Sequence, residues 1–94
     1  MMVYAYVNLI VTNPDSMAAY RSKAGAALTK HGGKVLGASP NQTVIEGTRD
    51  ETGLGVILEF ATEAAAQAWI NDPDLQETHA LRRGAGTSAI TLLA

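Results

Sequence analysis

Hydrophobic positions along the chain alternate between the two-residue period of strands and the longer period of helices. Residues 3–12 (VYAYVNLIVT) are rich in β-branched and aromatic side chains and stop at Asn13-Pro14, which predicts a strand. The odd-numbered face of this strand is wholly apolar. The other face carries Tyr4, Tyr6, Asn8 and Ile10. A strand with one solvated face alternates more cleanly, so we expect both faces to contact other groups.

A helix is predicted to begin at Asn13-Pro14-Asp15. Asparagine caps helices, proline suits the first helical position, and an acid suits the first turn. Apolar residues then recur every three or four positions until Gly32-Gly33, a typical helix end. This inward stripe consists of Met17, Tyr20, Ala24, Ala27, Leu28 and His31.

The remaining elements follow the same signals. Residues 34–39 and 43–48 are predicted strand segments, forming either one bent strand or a hairpin, and residues 49–55 are a polar loop. Residues 56–60 form a further strand. Two helices follow, one capped by Thr62 and a short one started by Asp72-Pro73-Asp74 and running to about Arg83, and residues 88–93 form the last strand.

The resulting order is strand, helix, strand, strand, helix, strand. We therefore predict one α+β domain spanning residues 1–94, a ferredoxin-like βαββαβ sandwich with a four- or five-stranded antiparallel sheet. Both helices would cover one side of the sheet, which leaves an apolar face open to a partner. Two-fold pairing of such faces predicts a homodimer, a dimeric α+β barrel.

Composition narrows the possible functions. The chain is 47% hydrophobic and 17% charged with a net charge of −2, so it shows no basic excess for nucleic acid or an anionic membrane surface. It contains no cysteine, which excludes a disulfide framework, a thiolate zinc site and an iron–sulfur cluster. The histidines lack metal-ligand spacing, and we expect neither metal nor cofactor. Residues 1–12 lack a preceding basic region, so they predict a strand in a cytoplasmic protein.

The joint spacing of several short motifs resembles a known family. The features are Tyr20, the KHGG turn at 30–33, Glu46-Gly47, Glu59-Phe60, Ala68-Trp69, Asp72-Pro73 and Arg82. Together they are similar to the small bacterial proteins of domain-of-unknown-function family 1330, over essentially the whole chain.

This resemblance implies a dimeric α+β barrel whose family members have no settled activity. The wider superfamily includes cofactor-independent monooxygenases and isomerases, so fold does not assign chemistry. One position departs from the family pattern, because Leu75 stands where members typically carry a tyrosine shortly after the Asp/Ser-Pro pair. A pocket tyrosine would then be missing, which puts a shared substrate in doubt.

Two titratable residues are candidates for proton transfer. His31 lies on the inward stripe of the first helix, where it is either a general base or a residue that packs against the sheet and the helix end. Glu59 alternates with Leu58 and Phe60, so it faces the opposite side of the sheet. It would be either an acid–base group or a salt-bridged residue at a partly wetted rim.

Aromatic and basic residues are candidates for ligand contact. Tyr20 and Trp69 are either pocket walls or ordinary core residues. Arg82 lies in a group with His79 and Arg83 near the end of the third helix, which could bind a carboxylate or phosphate or simply complement the helix dipole.

Three functional hypotheses follow. The first is a homodimer, paired through its sheet face, that binds a small organic ligand between helices and sheet through Tyr20, His31, Glu59, Trp69 and Arg82. The second is a cofactor-independent enzyme, monooxygenase- or isomerase-like, with His31 as its catalytic base. The third is a structural or regulatory dimer without ligand, in which Tyr20 and Trp69 would pack together and leave no cavity.

Overall fold

The computed structural model describes residues 2–94, which form four strands and three α-helices. The elements are β1 (Val3–Val11), α1 (Pro14–Lys30), β2 (Lys34–Ser39), β3 (Leu54–Phe60), α2 (Glu63–Asn71), a 3₁₀ turn (Pro73–Leu75), α3 (Gln76–Gly84) and β4 (Gly86–Leu93). The strands make one antiparallel sheet in the order β2-β3-β1-β4. This confirms the predicted ferredoxin-like fold and fixes the number of strands at four.

The helix boundaries follow from local capping. The Asn13 side-chain oxygen accepts a hydrogen bond from the Ser16 amide at 3.2 Å, and Thr62 Oγ1 accepts one from the Ala65 amide at 3.0 Å. Gly32 ends α1 with a positive φ of 70°, a conformation that glycine adopts at little cost. Within residues 2–94, every helix is too short or too polar to cross a membrane.

The hydrophobic core lies between the helices and one face of the sheet. Val3, Ala5, Val7 and Leu9 of β1 are buried in it. Phe60 on β3 is fully buried against Trp69 on α2, with ring centroids 5.6 Å apart. Gly33 allows close contact beside the Phe60 ring, because a Cβ there would lie 2.6 Å from Phe60 Cε1. Burial of each large apolar side chain contributes about 1.5–3 kcal/mol, so this layer carries most of the packing stability.

The opposite face of the sheet is not covered by helices, and we call it the open face. Strand register places Tyr4, Tyr6, Glu59, Ile57 and Leu93 on it. Tyr4 is 38% exposed, Ile57 40% and Leu93 64%. Apolar side chains therefore lie on both sides of the sheet, as the alternation in the sequence indicates, although polar groups are interspersed on the open face.

The prediction of a strand at residues 43–48 is wrong. This segment belongs to the long loop between β2 and β3, and its backbone pairs with no strand of the described chain. Side-chain contacts position the loop instead, because Gln42 Nε2 donates to Asn8 Oδ1 at 2.7 Å and to the Gly53 carbonyl at 2.8 Å. Gly53 itself lies against β1, where a Cβ would be 2.4 Å from the Leu9 carbonyl oxygen.

Candidate functional site: a cavity between the helices and the sheet

A cavity of about 190 Å³ lies between α1 and the helix-facing side of the sheet. Its lining includes Tyr20 from α1, Trp69 from α2 and Arg82 from α3. Arg21 also reaches its edge but is exposed, and every other lining residue is apolar. The three helices thus bring an aromatic pair and one buried cation to an otherwise apolar chamber.

Arg82 is the most unusual residue of this chamber, because it is charged and only 2% exposed. Its Nε donates to Ser88 Oγ at 3.3 Å, and its Nη1 donates to His79 Nδ1 at 2.7 Å. The guanidinium carbon lies 5.7 Å from the Tyr20 ring centroid and 5.6 Å from the Trp69 ring centroid. Both distances permit cation–π attraction. None of these partners carries a negative charge.

His79 is fully buried behind Arg82, and its protonation state follows from its two partners. Its Nε2 is 2.9 Å from the Trp69 carbonyl oxygen. A carbonyl only accepts and a guanidinium only donates, so Nε2 carries the proton and Nδ1 accepts from Arg82. Burial lowers the pKa of His79, and the charges of Arg82 and Arg83 lower it further. His79 is therefore a neutral imidazole that holds Arg82 in place.

Trp69 is 4% exposed and contacts His79 edge-on, with ring centroids 4.8 Å apart. Its Nε1 donor has no hydrogen-bond partner within residues 2–94, although buried indole N–H groups usually find one. Trp69 and Ile90 also line a second apolar cavity of about 150 Å³ beside α2. These two side chains therefore border both cavities.

His31 lies outside the cavity lining, at the C-terminal end of α1. Its Nε2 is 2.8 Å from Asp72 Oδ2, and Lys30 Nζ is 2.7 Å from the same oxygen. Asp72 Oδ1 accepts from the Asp74 amide at 2.8 Å. Lys30, followed by His31, holds the pKa of the Asp72 carboxyl far below its ordinary value, and Asp72 raises the pKa of Lys30. This cluster ties the end of α1 to the segment between α2 and α3.

Glu59 lies on the open face, on the other side of the sheet from the cavity. Its Oε1 is 3.3 Å from Lys34 Nζ on the neighbouring strand. This ion pair agrees with the salt-bridge interpretation of Glu59. Nearby on the same face, Arg49 from the long loop lies over the Tyr6 ring at 5.2 Å, so loop and strand share a polar patch.

The family model for a domain of unknown function, DUF1330, matches residues 2–94. The chain belongs to this family. No match was found among curated proteins.

Solved structures similar to this DUF1330 chain share its fold. A protein of unknown function from Rhodopseudomonas palustris is 24% identical, with a TM-score of 0.74 over 98% of this chain and 80% of the other. A dimeric ferredoxin-like protein of unknown function from Jannaschia sp. CCS1 is 15% identical, with a TM-score of 0.73 over 100% and 99% of the two chains. SnoaB, a cofactor-independent oxygenase from Streptomyces nogalater, is 15% identical, with a TM-score of 0.68 over 99% and 91%.

The DUF1330 chain thus brings together three of the five predicted contact residues, Tyr20, Trp69 and Arg82. It places the other two, His31 and Glu59, elsewhere. His79 was grouped with Arg82 from sequence, but its role as a neutral acceptor depends on the Trp69 carbonyl and has no sequence signal. Within residues 2–94, no cluster of three or more histidine or carboxylate groups could hold a metal ion.

Proposed function

We propose that this protein is a homodimer that binds a small organic ligand in the cavity between α1 and the sheet. The observation that supports the proposal is a chamber of about 190 Å³ bounded by Tyr20, Trp69 and Arg82. An engineered cavity of about 150 Å³ in another protein admits benzene. A compound with a single six-membered ring is therefore of suitable size. An apolar chamber with a few converging polar groups is the usual form of a ligand site.

Pairing through the open face accounts for the exposed apolar residues there. Ile57 and Leu93 lie on that face, and the long loop adds Ile45, which is 95% exposed. The similar Jannaschia protein is dimeric, which supports a homodimer here. A second copy would bury these side chains without disturbing the cavity on the opposite side of the sheet.

Ligand binding can be followed through Trp69, which is the only tryptophan in the chain. We would titrate cyclohexanecarboxylate and cyclohexanecarboxamide, which do not absorb where indole fluoresces. We expect a saturable change in wild-type fluorescence with at least one probe. Ala24→Leu, which fills the cavity from α1, should abolish the change. Ala26→Leu is the matched control, because Ala26 is exposed on the same helix and lies outside the lining.

The binding proposal fails if neither probe gives a saturable response, or if Ala24→Leu responds as fully as Ala26→Leu. The dimer is tested separately by light scattering at micromolar concentration. We expect twice the 9.8 kDa chain mass for wild type and for the exposed-helix control Ala64→Lys. Ile57→Lys should shift the mass toward one chain. A wild-type mass of a single chain would refute the homodimer.

The enzymatic alternative needs a base beside the bound molecule. His31 is engaged by Asp72 and does not line the cavity, and His79 Nδ1 already accepts from Arg82. The described residues that line the chamber include no histidine and no carboxylate: Arg82 and Trp69 act only as donors there, and the Tyr20 hydroxyl both donates and accepts. These observations favour binding over proton abstraction.

A further inference from the structure

We propose that the ligand of this cavity is an organic monocarboxylate, with its carboxylate against Arg82 and its apolar body in the chamber. This inference rests on the proposed function, because it names the chemical class that the same cavity takes. It depends on two independent features, a buried charge and a buried donor.

The first feature is the charge of Arg82. A guanidinium stays protonated in proteins, and a buried charge is costly unless it is paired. Within residues 2–94, no carboxylate oxygen lies within 4.0 Å of an Arg82 side-chain nitrogen. The ion pairs of the described residues all join other side chains. Ser88, His79 and two aromatic rings stabilise it without neutralising it. An anionic ligand would complete the pair.

The second feature is that several N–H donors of Arg82 and Trp69 have no identified acceptor. Arginine has five N–H groups, and only Nε and Nη1 have identified partners here. The Nε1 donor of Trp69, whose ring lies beside the same guanidinium, has none. A carboxylate is an acceptor-only group with two oxygens and suits such unmatched donors, whereas a further donor would not.

The charge of Arg82 and the volume of the cavity restrict the chemical class of the ligand. Arg82 is the single buried cation of the lining, because Arg21 is exposed and solvated, so one negative charge is matched. The remaining walls are apolar and enclose about 190 Å³. The ligand should therefore be a monoanion with one ring or a short branched chain. His79 acts as a positioning residue by holding Nη1 from behind.

The experiment compares cyclohexanecarboxylate with its neutral isostere cyclohexanecarboxamide by Trp69 fluorescence. We expect the acid to bind wild type about 10- to 100-fold more tightly, the range of a charge-assisted hydrogen-bonded pair. Arg82→Met should bring the two affinities within about twofold while the amide still binds. Arg83→Met is the control, because Arg83 is exposed on the same helix and outside the lining, and it should keep the preference.

Equal binding of acid and amide by wild type would overturn this inference and leave the proposed function standing. Loss of the preference in Arg83→Met as well would also overturn it, because the effect would then reflect overall charge. Absence of binding by both probes would instead refute the proposed function. The wild-type comparison decides the question even if Arg82→Met does not fold.

Discussion

Acidification should destabilise this protein through His79. In the unfolded chain the imidazole titrates near its ordinary pKa of 6.5, whereas in the folded chain burial lowers its pKa. The unfolded state therefore takes up a proton first as the pH falls. The stabilising contribution is complete above the unfolded pKa and is lost below it. The geometry agrees, because a proton on Nδ1 would face the Arg82 guanidinium at 2.7 Å.

The size of the effect follows from linkage. If folded His79 stays neutral, uptake of one proton by the unfolded state removes about 1.4 kcal/mol of unfolding free energy between about pH 7.5 and about pH 5.5. This value is an upper limit for one site. Arg82 and Arg83 act with burial to lower the pKa, while the Trp69 carbonyl and Asp72 oppose them, so the net direction stays downward.

Urea unfolding at fixed protein concentration measures this slope, since association also contributes to the stability of a dimer. His79→Gln keeps an amide donor and acceptor but does not titrate, so its unfolding free energy should depend less on pH by up to that amount. His31→Gln removes the other histidine of the chain and should retain the His79 contribution. An unchanged slope in His79→Gln, or a wild type that gains stability on acidification, would contradict a lowered pKa of His79 in the folded chain.

Three further changes have defined outcomes. Phe60→Ala should lower the unfolding free energy by about 3–5 kcal/mol in urea titrations, because the ring is fully buried, and a loss below about 1 kcal/mol would contradict that packing. His31→Ala should leave the affinity for cyclohexanecarboxylate within about twofold, because His31 lies outside the cavity, and a tenfold loss would place it in the site. Gly53→Ala should destabilise by about 1–3 kcal/mol, because its Cβ would meet the Leu9 carbonyl. The control Gly25→Ala has open space on a helix and should stabilise by about 0.5–1 kcal/mol; similar values for both variants would refute the predicted clash.

The fold could be predicted where local chemistry determines it. The caps at Asn13 and Thr62 and the glycine end at Gly32 all form as their sequence signals indicate. The loop conformation of residues 43–48 could not be predicted. The β-branched residues of this segment favour a strand locally, but no strand of the described chain pairs with it. Its path depends on the Gln42 side chain, which contacts residues more than thirty positions away.

The candidate site could likewise be predicted from the sequence only in part. Helical phase indicated that Tyr20 and Trp69 point inward, and the spacing of His79 and Arg82 predicted that they are neighbours. The pairing of His31 with Asp72 joins residues 41 positions apart, so no periodicity could reveal it. The missing negative charge beside Arg82 is likewise a property of the assembled helices and not of any one segment.

Trp69 and Ile90 line both cavities, so Ile90 borders both spaces while the charged group of the proposed site is a different residue, Arg82. Arg82 would bind the carboxylate of the ligand, whereas the length of the apolar part that fits would depend on Ile90. A smaller residue at position 90 would enlarge the space available to the apolar part of a ligand without removing Arg82. If the cavity binds a carboxylate as proposed, one substitution at position 90 would change the ligand length that fits without changing the charge that Arg82 selects.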